Sequence, residues 1–77
     1  MPRHHFTEEE ARAKIGKRIR SLLPFSGVQQ GITGRVTSAH ERTGGYDVIV
    51  EWDTLKLRDW FTKDEYERFL EEIEPKE

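Results

Sequence analysis

The stretch "GYDVIVEWD", Gly45 to Asp53, decides how the chain is read. Tyr46, Val48, Val50 and Trp52 alternate strictly with Asp47, Ile49, Glu51 and Asp53. A period of two with β-branched and aromatic residues on one side predicts a half-buried strand. The expectation is that Tyr46, Val48, Val50 and Trp52 form an inner wall. Asp47, Ile49, Glu51 and Asp53 are expected on the solvated side. Asp53 suits the strand end, because its carboxylate can accept hydrogen bonds from nearby backbone amides in a turn.

Before it, "GITGRVTSA" alternates in the same way, with Ile32, Gly34, Val36 and Ser38 on one face and Thr33, Arg35 and Thr37 on the other. Gly31 and Gly34 suggest a bend or bulge where a sheet curves. "ERTGG", Glu41 to Gly45, joins the two segments as a hairpin turn. After it, "LKLRDWF" sets Leu55, Leu57 and Phe61 against Lys56, Arg58 and Trp60. Upstream, "KRIRSLL" reads as a strand with Ile19 and Leu23 facing inward, or as a continuation of the helix before it through Ala11, Ile15, Ile19 and Leu22. The strand is favoured, because Gly16 would cost about 1 kcal/mol inside a helix.

Both ends carry helix start signals. Thr7 followed by Glu10 is a capping box, with three glutamates in the first turn and Gly16 as the stop, which predicts a helix over 7–16. Thr62 followed by Glu65 is a second capping box, with Phe61 and Tyr66 placed as a hydrophobic staple. Tyr66, Phe69, Leu70 and Ile73 repeat at i, i+3, i+4 and i+7, which predicts a helix over 62–74 stopped by Pro75. Its apolar stripe is expected to plug one end of the sheet; docking of a partner on that stripe and Trp60 is the other use for it. The fold class that follows is α+β: one domain over 1–77, with a small bent antiparallel sheet over 17–61 between two helices. The expected core is Ile19, Leu23, Ile32, Val36, Val48, Val50, Trp52, Leu57, Phe61, Phe69, Leu70 and Ile73.

Composition narrows the function classes. The chain has 77 residues, 36% of them charged, and no cysteine. Disulfides, thiolate metal sites and redox thiols are excluded. No apolar run reaches the length of a membrane helix, and the expectation is a soluble, cytoplasmic protein. The net charge of −2 is unevenly spread. Residues 11–46 hold seven Lys/Arg and one Glu, a net +6, while residues 47–77 hold five Lys/Arg and eleven Asp/Glu, a net −6. Such a dipolar chain can orient toward an anionic partner.

Candidate chemistry is sparse. Trp-Asp also closes the repeats of β-propellers, but a blade takes about 40–45 residues and closure takes several. His4 and His5 are adjacent near the terminus and His40 is alone in a hairpin, so no metal site is assembled. Asp47 and Glu51 share a strand face but lie about 13 Å apart at 3.3 Å per residue, too far for a hydrolytic pair. No nucleophile elbow or phosphate loop occurs. No catalytic residue, metal or cofactor is assigned, and the expectation is a non-enzyme. The residues expected to bind a partner are Arg18, Arg20, Phe25, Arg35 and Arg42, a basic set with one aromatic.

Gly31, Gly34, Val36, Tyr46, Val48, Val50, Trp52 and Asp53, in a "G-x-x-G-x-V" strand followed by a strand ending "V-x-W-D", resemble the core pattern of small SH3-like β-barrels. The pattern looks like those of KOW-type and MIB-type barrels and of small SH3-like subunits of photosynthetic electron-transport complexes. It covers about Lys17 to Phe61. The resemblance implies a binding module without catalysis, often one component of a larger assembly. An accessory subunit or adaptor docking an acidic protein is the leading expectation. A nucleic-acid binder using the same basic surface is the alternative, although a KOW-type barrel that binds ribosomal RNA is usually strongly basic and this chain is net acidic.

Overall fold

The computed structural model describes residues 5–24 and 27–73. Five antiparallel strands form a curled half-barrel accompanied by two short helices, an α+β domain. In chain order the elements are α1 (Glu8–Lys14), β1 (Arg18–Ser21), β2 (Thr33–Arg42), β3 (Gly45–Trp52), β4 (Arg58–Phe61), α2 (Lys63–Phe69) and β5 (Leu70–Ile73). The sheet runs β4-β3-β2-β1-β5, so the C-terminal strand lies beside the first one.

Both capping boxes form. The Glu10 backbone N–H donates to Thr7 Oγ1 at 3.1 Å and the Thr7 N–H donates to Glu10 Oε1 at 2.9 Å. The Thr62 and Glu65 pair does the same at 3.0 and 3.2 Å. Satisfying these amides and placing carboxylates at the positive helix end lets helices of one to two turns persist. Gly16, at φ +92°, turns the chain out of α1, and its N–H donates to Val36 O at 2.8 Å.

The β2–β3 hairpin closes with Arg42 opposite Gly45. Gly31, at φ +91°, does lie in a turn before β2, whereas the bulge falls at Thr37, an unpaired extra residue between Val36 and Ser38, and not at Gly34. That bulge reverses the alternation of β2. Val36 faces inward opposite Val50, but beyond the bulge it is Ala39, opposite Val48, that packs on the core in place of Ser38. Gly34 sits in the inward row between Ile19 and Trp52. A Cβ there would stand 2.7 Å from Glu51 O and 3.0 Å from Trp52 Cε3, so the large indole fits because its neighbour has no side chain.

The core consists of Ile19, Val36, Val48, Val50, Trp52, Phe61 and Leu70 from the expected set, joined by Phe6, Ala11, Val28 and Tyr66. Ile32 and Phe69 pack partly buried against it. Phe6 enters from the N-terminal segment. It exchanges two backbone hydrogen bonds with Tyr46, at 3.0 and 2.8 Å, and its ring meets Tyr66 edge-on at 5.6 Å.

Several expectations are corrected. The helix over 62–74 ends at Phe69, and Leu70–Ile73 is strand β5, paired with β1. Leu70, at φ −123° and ψ 148°, is already extended, so helix passes directly into strand. Ile73 therefore lies in a strand, opposite Arg18. Leu23 and Leu57 are exposed, at 45% and 48%, because each falls just outside its strand. β1 ends at Ser21, whose side chain takes the inward place expected for Leu23. Its hydroxyl donates to Gln29 O at 2.6 Å and accepts from the Ile32 N–H at 3.1 Å, tying down the start and end of the loop to β2.

Candidate interaction surface

Directly opposed residues of an antiparallel pair share a face. The register therefore lays out the outer face of the sheet. One row crosses four strands as Arg18, Arg35, Glu51 and Arg58. A second row, one pleat along, holds Ser38, Ile49 and Trp60. Beyond it His40 stands opposite Asp47.

The basic residues of the first row are not equivalent. Arg18 makes a two-pronged contact with Asp53, at 2.9 and 2.5 Å. Thr33 Oγ1 also donates to that carboxylate at 2.6 Å. The Arg18 contact foremost, and then the Thr33 hydroxyl, hold the Asp53 carboxyl down to about 2. Arg20 donates to Glu71 Oε2 through Nε and a terminal nitrogen, at 3.2 and 2.5 Å, linking β1 to β5. Arg42 donates to Asp47 at 2.9 Å. Arg35 and Arg58 are exposed and make no ion pair among the described residues.

Of the residues expected to bind a partner, Arg18, Arg20, Arg35 and Arg42 thus share the outer side. Three of them are held by carboxylates of the chain itself. Phe25 lies outside the described residues. Asp47 corrects the sequence reading. It was expected to be solvated, but only 1% of it is exposed, and it accepts from Arg42 and lies 3.2 Å from His5 Nδ1. The N-terminal segment that brings Phe6 to Tyr46 also brings His5 over this carboxylate. Gly45 makes room for it: a Cβ at that position would lie 2.6 Å from His5 Cβ and 2.8 Å from Phe6 O.

Alternation sets Trp60 against Leu57 and Phe61, and the expected binding set omits it, although docking on Trp60 and the C-terminal stripe is the second use expected for that stripe. In the fold Trp60 is 61% exposed, held by strand pairing with Ile49. Its indole stacks on the His40 imidazole, with centroids 6.0 Å apart and planes 19° from parallel. The two rings lie across β3, one from β2 and one from β4. Two shallow depressions lie around Glu51 and Trp52. One, of about 300 Å³, is lined by Arg18, Arg35, Thr37, Glu51, Trp52 and Asp53. The other, of about 260 Å³, is lined by Glu51, Trp52, Leu55, Lys56, Leu57 and Arg58.

Two of the carboxylates near these depressions have structural partners. Asp59 accepts from Trp52 Nε1 at 2.7 Å, and Asp53 is held by Arg18 and Thr33. On the opposite side of the domain, Tyr66 donates to Glu72 at 2.9 Å and Lys14 to the same carboxylate at 2.5 Å, which fastens α1 and α2 to β5. Burial, followed by the Glu72 contact, pushes the Tyr66 phenol far up, and Lys14 chiefly pulls Glu72 down. Among the described residues, no three His, Cys, Asp or Glu side chains converge as metal ligands, and no helix is long and apolar enough to cross a membrane. No protein-family model, curated protein or solved structure matches the chain.

Proposed function

We propose that the domain is a non-catalytic protein-interaction module, an accessory subunit or adaptor that docks an acidic partner through the outer face of its sheet. The observation that carries this reading is Trp60, a large aromatic exposed on a regular strand and fixed by stacking on His40. Tryptophan and arginine are the residues most enriched among those that dominate binding energy at protein interfaces. Trp60 stands two residues from Arg58 on β4, and Arg35 lies two strands away on the same face; neither arginine has an ion pair among the described residues. The curled half-barrel and the sequence resemblance to SH3-like barrels support the same reading, since small barrels of that kind are commonly binding components of assemblies. The engagement of Asp47, Asp53 and Asp59 by internal donors also fits a surface that binds without catalysing.

The test is affinity capture from the native cell with the wild-type domain and with Trp60→Ala. The reading predicts that the wild type retains a protein in stoichiometric amount. Trp60→Ala, with an unchanged melting temperature, should lose it. Retention of nucleic acid that disappears on nuclease treatment, with no protein retained, would overturn the reading in favour of a KOW-like nucleic-acid binder.

A further inference from the structure

We infer that the outer face recognises an extended acidic segment in which an apolar side chain and a carboxylate lie two residues apart. The apolar group would cover the Trp60–His40 platform and the carboxylate would meet Arg58, with Arg35 taking a second carboxylate. The inference rests on the reading of the domain as a protein-interaction module and assigns the partner's chemistry.

The spacing comes from the strand. Arg58 and Trp60 are two residues apart on β4, so their side chains leave the same face about 6.6–6.8 Å apart. An extended peptide has the same repeat, and its side chains two apart likewise share a face. A segment following β4 can therefore set one side chain on the indole and the next of that face against the guanidinium. Arg35 is in the same cross-strand row as Arg58 but two strands away, roughly 10 Å at the usual strand separation. Because Arg35 lies across the sheet and not along β4, it takes a second carboxylate where the segment leaves the line of β4 and crosses toward β2.

Charge selects the partner. Arg18, Arg20 and Arg42 already satisfy Asp53, Glu71 and Asp47, whereas Arg35 and Arg58 have no ion pair among the described residues. Glu51 stands between them in the row, opposite both. A continuous polyanion laid over the row would be driven against Glu51, while discrete carboxylates can reach the arginines on either side of it. An acidic peptide is thus favoured over a nucleic-acid backbone. The aromatic contact is preorganised, because Trp60 is held by β4 and by its stack on His40, so little side-chain freedom is lost when it is covered.

The experiment titrates the intact domain with a synthetic peptide carrying Phe and Asp two residues apart, repeated once. Three comparison ligands are the same peptide with Lys for Asp, with Ala for Phe, and a single-stranded thymidine oligonucleotide. Binding is read by the emission of the exposed Trp60 and by calorimetry. The Phe–Asp peptide is expected to bind at least about tenfold more tightly than either altered peptide. Arg58→Glu and Trp60→Ala should abolish that preference without moving the thermal melt, and the oligonucleotide should bind more weakly than the Phe–Asp peptide. Equal affinity for the Lys peptide, or unchanged preference in Arg58→Glu and Trp60→Ala, overturns the inference, as does tighter binding of the oligonucleotide. A captured partner that Arg58→Glu and Trp60→Ala release, but that the Phe–Asp peptide does not displace, overturns this assignment of the partner's chemistry while leaving the interaction-module reading standing. Capture of no protein at all removes both.

Discussion

The Trp52 indole N–H donates to the Asp59 carboxylate at 2.7 Å, so the largest ring of the barrel wall is tied to the next strand as well as buried. Its ring also meets Phe61 edge-on at 6.4 Å. Trp52→Ala removes both contacts and leaves a cavity, with an expected loss of about 3–5 kcal/mol, a large fraction of what so small a domain has. Trp52→Phe keeps most of the apolar volume but deprives Asp59 of its donor, and should cost about 1–3 kcal/mol. Urea unfolding of the two variants checks the order: a Trp52→Phe variant as stable as the wild type would mean that the hydrogen bond contributes nothing beyond the ring, and equal losses would mean that the ring contributes nothing beyond the hydrogen bond.

The Arg18–Asp53 pair gives the domain an acid-sensitive component. The Asp53 carboxyl titrates at about 2 in the folded state, below the ordinary carboxylate range, because Arg18 and then Thr33 favour its charged form. A depressed folded-state value means that the stabilisation is complete above about pH 4 and is lost as the pH falls toward 2. The side chain is about a third exposed, so the contribution is on the order of 1 kcal/mol or less and weakens with salt. Asp53→Asn should unfold more easily than the wild type at about pH 6, and the difference should shrink as the pH approaches 2. A constant difference across that range would show that the charge of Asp53 is not what matters.

Gly34 is a packing glycine. A methyl group there must displace the Glu51 carbonyl or the Trp52 ring. Gly34→Ala is therefore expected to cost about 1–3 kcal/mol by overpacking. It should also shift the near-ultraviolet circular dichroism of the tryptophans. At Gly31 a Cβ would meet nothing within 4 Å, so Gly31→Ala carries backbone strain alone, at φ +91°. It should leave that spectrum unchanged.

The Ser21 hydroxyl serves two backbone groups at once, Gln29 O and the Ile32 N–H. Ser21→Ala is expected to cost about 1–3 kcal/mol, since the partners lose a buried contact. Hydrogen exchange should accelerate first at Gly31 and Ile32, the amides that close the loop on Ser21. Uniform acceleration through the sheet would instead mean that the hydroxyl supports the whole core.

Local chemistry made the two capping boxes, the β2–β3 hairpin and the inward row of β3 legible, because each depends on residues a few positions apart. β5 was not. Tyr66, Phe69, Leu70 and Ile73 satisfy a helical stripe equally well, and what draws Leu70–Ile73 into a strand is pairing with β1, reinforced by Arg20 and Glu71, 51 residues apart. The Thr37 bulge also left no mark in the alternation of "GRVTSA". Asp47 looked solvated because His5 and Phe6, which cover that end of β3, are remote in sequence. The basic set on the outer face was found by charge. Which of its arginines form ion pairs among the described residues depends on partners as far off as Asp53 and Glu71. Trp60 was visible by its parity with Arg58, but its stack on His40 requires the folded β2-β3-β4 sheet.

The most direct measurement is the pair of indole N–H signals in a nitrogen–proton correlation spectrum of the labelled domain, recorded as the captured partner is added. Trp60 is exposed and Trp52 is buried with its N–H on Asp59, so the two report on the outer face and the barrel interior separately. Docking on the outer face predicts that the Trp60 signal moves, together with the amides of Ile49, Arg58 and Arg35, while the Trp52 signal stays in place. A saturated complex in which the Trp60 signal does not move would contradict the account.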